Sequence, residues 1–356
     1  MSRFALKSKV FFIEEYVIDA TWSGFEVQRP SGTTVTVLVP HIMADLPHCE
    51  INDQLRSMLT TFLATNEIHH YVSWYYSPMA LAFTDTLSPG VVVYDCMDEL
   101  SGFKFAPPEL REREARLFEM ADIVFTGGHT LFQAKKHQHQ NIFPFPSSID
   151  KNHFLAARNQ DSDPADQRNI PSPRLGFYGV LDERLNIDLL GQISALRPDW
   201  HLVLIGPVVK IDHDSLPKNP NIHYLGGKDY KELPSYLSGW DIAIMPFAMN
   251  ESTTFISPTK TPEYLAGGKQ VISTPILDVV NDYGIEGLVS IAETAEQFVQ
   301  HGERILNNSD YEEWITRVDE KLSDMSWDNT WEEMKHLIEE TMNNKKVYTE
   351  TSIKYV

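Results

Sequence analysis

Cysteine is scarce: Cys49 and Cys96 are the only two among 356 residues. They match no metal-ligand spacing, which argues against a disulfide framework or a structural zinc site and suits a reducing compartment. No apolar run reaches the ~18 residues that a membrane span needs. The opening residues, Met1 to Lys7, lack a signal-peptide core. The expectation is a soluble, cytoplasmic chain. Basic residues are outnumbered, 30 against 50 acidic, for a net charge of −20. That balance argues against duplex nucleic acid and against broad attraction to anionic lipid. The motifs GxGxxG, GxxxxGK[ST] and GxSxG are missing, which removes the simplest dehydrogenase, P-loop and α/β-hydrolase readings. There is no internal repeat and no low-complexity tract.

Hydrophobic residues make up 42% and charged residues 22%, enough for two real cores in a chain of this length. Short β-branched and aromatic runs alternate with helical patterns, which marks βαβ units and parallel sheets. Strands are expected at Val10–Glu14, Thr34–Pro40, His70–Trp74, Val91–Tyr94 and Ile123–Thr126. An amphipathic helix is expected over Pro107–Asp122, with Leu110, Leu117, Phe118 and Ala121 on one face. The polar, Pro-containing stretch Ala156–Pro173 reads as an interdomain linker. A second series follows: strands Arg174–Tyr178, His201–Ile205, Asn221–Leu225, Asp241–Pro246 and Gln270–Thr274. Helices are expected at Ile187–Leu196, Glu232–Leu237 and Pro262–Ala266, with Thr294–Asn307 and Thr330–Asn344 closing the chain. In such sheets ligands sit beyond the C-terminal strand ends, here in a cleft between two facing domains.

Three segments carry candidate chemistry. In Asn250–Gly268 a polar loop leads into a helix start. Backbone N–H groups there attract anions, Lys260 adds a charge, and Glu263 can accept two hydrogen bonds from a vicinal diol such as a ribose. The ordinary alternative is a helix capped by Ser257 or Thr259, with Glu263 completing the cap. In Gly179–Arg184, the loop after the first strand of the second domain, Arg184 can bind diphosphate oxygens in a bidentate manner. Its alternative is a surface ion pair with Asp182 or Glu183. In Tyr94–Phe103, Asp95, Asp98 and Glu99 cluster at a strand end, where a carboxylate can orient or deprotonate a hydroxyl. Helix N-capping is the alternative.

Weaker signals are discounted. Asp161-Ser162-Asp163 and Asp212-His213-Asp214 imitate a metal-binding pattern but lie in Pro-flanked polar loops. His137 and His139 read as an exposed basic helix end, and His69-His70 as structural. Gly127-Gly128 either admits a ligand or makes a turn.

The strings YDCMDELSGF (94–103), ADIVFTGG (121–128), FPSSID (145–150), LGFYGVLDERLNIDLL (175–190) and RPDWHLVLIGPVVKID (197–212) suggest a family, as do ELPSYLSGWDIAIMPF (232–247) and FISPTKTPEYLAGGKQVISTPI (255–276). With them the chain resembles the GT-B fold glycosyltransferases, close to glycosyltransferase family 4, and within these the bacterial teichuronic acid glycosyltransferases. The resemblance implies an α/β architecture of two Rossmann-like domains facing across a cleft. It implies an acceptor-side domain over 1–160, a linker over 161–173 and a nucleotide-sugar domain over 174–325. A C-terminal helix and tail over 326–356 would pack back on the first domain. It further implies sugar transfer from a nucleotide diphosphate donor, UDP favoured, with retention and without metal or other cofactor. The acceptor would be a saccharide or lipid-linked hydroxyl in cell-surface polysaccharide synthesis.

By the same resemblance, Glu263 holds the donor ribose and Lys260 and Arg184 face the diphosphate. Gly179, Ser257 and the Thr259–Thr261 backbone let the diphosphate approach, and Tyr230 packs on the base. Asp98 is the candidate active-site carboxylate. Two departures stand out. The usual pair of Glu eight positions apart keeps only Glu263, with Phe255 at the first position and Glu251 nearby. The chain also begins where relatives have completed a first βα unit, so an N-terminal domain lacking that unit is expected. The alternatives are a non-hydrolysing nucleotide-sugar epimerase and a nucleotide-binding scaffold subunit. For a lipid-linked acceptor at the inner membrane face, Lys135-Lys136 is the visible docking candidate.

Overall fold

A computed structural model describes residues 1–19, 21–159, 163–307 and 310–353. It contains three sheets. In the first, β1 (Phe11–Ile13) and β2 (Val17–Asp19) pair in parallel along one edge of β4 (Thr36–Met43), and β3 (Gly24–Gln28) pairs antiparallel on the other. The second is parallel, in the order β5 (Val72–Tyr75), β6 (Val91–Cys96), β7 (Ile123–Thr126), β8 (Ile142–Pro144). The third has six parallel strands: β9 (Arg174–Tyr178), β10 (His201–Ile205), β11 (Ile222–Tyr224), β12 (Ile242–Met245), β13 (Val271–Ser273) and β14 (Val289–Ile291). Their spatial order β11-β10-β9-β12-β13-β14 is the 3-2-1-4-5-6 of a doubly wound sheet. β9 and β12 therefore flank its switch point, where ligands of such sheets bind.

The buried strands explain why the second half reads so clearly. β9, β10 and β12 carry apolar residues on both faces because helices cover both sides. Gly176 on β9 is required by packing: a Cβ there would lie 1.8 Å from the Trp240 ring. Trp240 is fully buried and donates to Gln167 at 2.9 Å, so it cannot yield. Gly176→Ala is expected to destabilise by about 2 kcal/mol or more. Gly191→Ala, in the helix Ile187–Leu196, meets only Pro217 at 3.6 Å and is expected to stabilise by about 0.5–1 kcal/mol. Urea unfolding of the two full-length variants checks both signs.

Residues 160–162 of the stretch 156–173, including Asp161 of the acidic pattern, lie outside the described residues. The rest of the stretch is anchored to the second core by Ala157, Gln167 and Ile170. Ile149, Phe154, Ala157 and Ile170 are buried in the second core. Gln167 is fully enclosed, bonding Asp163, the Tyr236 carbonyl and the Trp240 indole. Gln167 is thus a buried polar side chain with its hydrogen bonds satisfied, while Asn159, Asp166, Arg168, Asn169 and Ser172 face solvent. The second core thus begins near Ile149. The chain crosses back near Trp327, whose N–H donates to the Ile149 carbonyl at 3.4 Å. The helix Trp327–Ile353 then lays Met334, Leu337, Ile338 and Met342 against Val91, Val93, Ile123 and Phe125 of the second sheet.

Candidate functional site

The site is built at the switch point of the six-stranded sheet. β9 ends at Tyr178, and Gly179 follows with φ +147, its N–H bonded to the Ile205 carbonyl. A Cβ at Gly179 would lie 2.4 Å from Lys260 Cε. Glycine at 179 is therefore what lets the lysine stem pass, and the positive φ favours it further. Lys260 opens the helix Lys260–Ala266 across the switch point. Its ammonium lies 5.7 Å from the Phe177 ring centroid and 5.9 Å from that of Phe247. Among the described residues it makes no ion pair. Burial pushes its pKa below the usual lysine value, and Arg184 adds to the shift while Glu263 and Asp182 oppose it.

Glu263 stands one turn along. Its Oε2 accepts from the Tyr178 hydroxyl at 2.8 Å. Burial raises its pKa to about 7, against the opposing pull of that hydrogen bond and of Lys260. The capping alternative is ruled out: Thr259 makes no side-chain cap, and Glu263 bonds Tyr178 instead. The helix starts at Lys260, two residues before the expected Pro262.

Arg184 is ion-paired with Asp182, but the pair is not a surface one. Asp182 is buried and takes bonds from Arg184 N, Nε and Nη2 at 2.7–3.0 Å. This fixes the guanidinium plane while leaving Nη1 free of that carboxylate. The guanidinium lies 5.6 Å from the Phe103 ring centroid on the opposite domain.

The acidic cluster of the first domain separates into three. Asp95 is buried against the Trp74 indole at 3.2 Å, and burial raises its pKa to about 7. Glu99 bonds Lys135 at 2.6 Å and Ser101 at 2.7 Å. Asp98 lies within range of the second domain's charge: burial raises its pKa and Arg184 opposes the rise. None caps a helix; the 3-10 turn Leu100–Gly102 has no side-chain cap.

Tyr230 is half exposed and stacks on His153 at 4.5 Å with the rings 15° apart. Glu263 contributes to the rise of its pKa to about 12, after burial. The remaining candidates lie at the same helix start and the seam beside it. Thr261 is buried, its hydroxyl on Met245 Sδ. Ser257 sits at the domain seam, its carbonyl accepting from Ser147 at 2.7 Å. Thr259 lies at the helix start with its hydroxyl unused in capping. Phe255 packs against the core of the first domain.

Gly127-Gly128 serves packing: added Cβ atoms would lie 2.1 Å from the Met97 carbonyl and 2.2 Å from Asp278 Oδ2. Asp278 is the residue that sequence reasoning missed at this seam. From the second domain it accepts bonds from the backbone of His129 and Thr130 and from the Thr130 hydroxyl. Lys135 also needs correcting as a docking cation: it is buried between Glu99 and Glu114. His139 is part-buried and bonds the Ala121 carbonyl rather than forming an exposed basic end. Among the described residues no group of three or more His, Cys, Asp or Glu is placed to hold a metal ion. Among them no helix is long and apolar enough to cross a membrane.

No protein-family model matches the chain. Over 221 residues it is 25% identical to a teichuronic acid biosynthesis glycosyltransferase, TuaH of Bacillus subtilis. That alignment covers 56% of this chain and 54% of TuaH, so the chain spans about half the length of the curated relative it matches. Sucrose-phosphate synthase of Thermosynechococcus elongatus superposes with a TM-score of 0.70 at 14% identity, covering 96% of this chain and 91% of that one. HepE of Anabaena, solved in complex with UDP and glucose, gives 0.58 at 14% identity over 90% of this chain and 87% of its own. A trehalose-phosphate synthase of Burkholderia xenovorans gives 0.66 at 9% identity, covering 93% of each chain. The chain therefore has the GT-B fold of these glycosyltransferases, two α/β halves meeting at a cleft, the first built on a mixed and a parallel sheet and the second on the six-stranded parallel sheet.

Proposed function

We propose that the chain transfers a glycosyl group from a nucleotide diphosphate sugar, UDP-linked, to a hydroxyl acceptor in cell-surface polysaccharide synthesis. The observation that carries this reading is Lys260: a cation without an ion pair among the described residues, held between Phe177 and Phe247 at a switch point, with Glu263 and Arg184 beside it. An isolated, desolvated ammonium is costly to maintain unless an anion completes it. The glycosyltransferase relative and the UDP complex of a similarly folded protein support a nucleotide diphosphate as that anion.

When the donor bond breaks, negative charge develops on the departing diphosphate. Lys260 and the Asp182-oriented Arg184 stabilise it electrostatically, so the reading needs no metal. Glu263 accepts from the ribose hydroxyls and Tyr230 offers its exposed ring to the base. Asp98, facing Arg184 across the cleft, orients the acceptor hydroxyl. With attack on the leaving-group face, the course that retains configuration, a donor phosphate oxygen can take the acceptor proton, which leaves Asp98 a positioning role.

Thermal shift against UDP, GDP, ADP, CMP and NAD tests the donor half. One nucleoside diphosphate at 100 times its dissociation constant should stabilise by about 2.7 kcal/mol, and Glu263→Ala should lose that response. No shift with any nucleotide, from a folded chain, overturns the reading. Asp98→Asn should keep the nucleotide response while transfer falls by about 10²-fold.

A further inference from the structure

A second cavity of ≈ 450 Å³ lies where the two domains meet, within the size range of small-molecule sites. The first domain supplies Glu99, Ser101, Arg111, Glu114 and Lys135; the second supplies Glu251, Thr254 and Phe255. It is no gap in loose packing, because a Cβ at Gly102 would lie 3.0 Å from the Glu251 carbonyl oxygen.

Its floor is fixed. Lys135 bridges Glu99 at 2.6 Å and Glu114 at 2.8 Å, and Tyr94 donates to Glu114 at 2.8 Å. A paired floor of this kind presents oriented acceptors and a spent cation. Its rim is not fixed: the exposed side chains of Arg111 and Glu251 make no hydrogen bond or ion pair among the described residues. Three carboxylates (Glu99, Glu114, Glu251) thus stand against two cations (Arg111, Lys135). A ligand with a net negative charge is disfavoured. A ring rich in hydroxyls is favoured, since it donates to the carboxylates, accepts from Arg111 and offers a C–H face to Phe255.

We propose that this cavity binds a neutral pyranose unit of the acceptor. The assignment rests on the glycosyltransferase reading above and deepens it. Glu99, which lines the cavity, is the chain neighbour of Asp98, and the proposal sets the acceptor's reacting hydroxyl at Asp98 with the adjoining unit in the cavity. Phe255 then replaces a polar contact with a stacking face, and the interdomain position makes acceptor binding depend on both domains.

Saturation-transfer NMR on the full chain tests it, with methyl glucoside, methyl galactoside and N-acetylglucosamine as neutral probes and glucuronate as the anionic one. The expected result is transfer to at least one neutral pyranose, stronger than to glucuronate and undiminished by saturating UDP. The double variant Arg111→Ala/Glu251→Gln, altered only at exposed positions, should bind that probe about tenfold more weakly. Transfer to no neutral probe, stronger transfer to glucuronate, competition by UDP, or an unchanged double variant overturns the proposal. Nucleotide thermal shifts on the same samples separate the two readings. A nucleotide response without a saccharide signal overturns this cavity alone; a saccharide signal without a nucleotide response overturns the donor clamp alone.

Discussion

Lys260→Met is expected to make the unliganded protein more stable and to remove its response to nucleotide. The two effects share one cause. Burial holds the Lys260 ammonium below its usual pKa, and no carboxylate pairs with it among the described residues. Methionine fills much of the same volume between Phe177 and Phe247 without a charge to desolvate. Relief of even ~1 kcal/mol would raise Tm by about 2–4 °C in a chain with domains of this size. The same change strips the proposed leaving-group site of a cation, and transfer should fall by about 10²–10³-fold. Differential scanning calorimetry with and without nucleotide reads both effects. A destabilised variant that still responds to nucleotide would show that Lys260 is a packing residue. Gly179→Ala should lose the nucleotide response by another route, since its Cβ meets Lys260 Cε at 2.4 Å. Unlike Lys260→Met it should destabilise, because φ +147 suits glycine alone.

The second half of the fold was legible because buried parallel strands are continuous apolar runs cut by Gly and Pro. The expected bounds of Arg174–Tyr178, Ile187–Leu196 and His201–Ile205 are the observed ones. β2 and β3 were not legible: they are short, and β3 turns Glu26, Val27 and Gln28 to solvent, so no clean alternation marks it. The helix Ile51–Thr65 went unread although Ile51, Leu55 and Leu59 form an i, i+4, i+8 stripe. The helix Tyr311–Lys321 was readable in the same way from Trp314 and Val318.

At the site, Lys260 and Glu263 could be paired from sequence because i, i+3 residues share a helix face. Their partners could not. Tyr178 lies 85 positions from Glu263, and only the sheet order brings β9 beside β12. Lys135-Lys136 shows the converse limit. Two adjacent lysines look alike in sequence, yet helix geometry turns one into the core between two glutamates and leaves the other exposed.

Glu263 should give the protein opposite pH dependences for folding and for donor binding. Its carboxyl sits near pKa 7 in the folded chain, raised by burial from an ordinary 4.5. Between those values the folded state holds a proton that the unfolded state has released. Stability of the unliganded chain therefore falls as pH rises from about 4.5 to 7, and Asp95, also near 7, adds to the fall. Each group contributes on the order of 3–4 kcal/mol over that window. Donor binding runs the other way, because only the carboxylate accepts from both ribose hydroxyls. With a pKa of about 7, roughly a tenth of the sites are ionised one unit below it, so affinity at pH 6 should be about tenfold weaker than at pH 8. A UDP-sugar is the right probe, since its diphosphate has no terminal proton to titrate in that window. Calorimetric titration of wild type and Glu263→Gln checks the pair of trends. The variant should bind weakly with a flat profile and lose its share of the acid-side gain in stability. A pH-independent wild-type affinity would place the ribose elsewhere, while the stability trend, which comes chiefly from burial of Glu263 and Asp95, would remain.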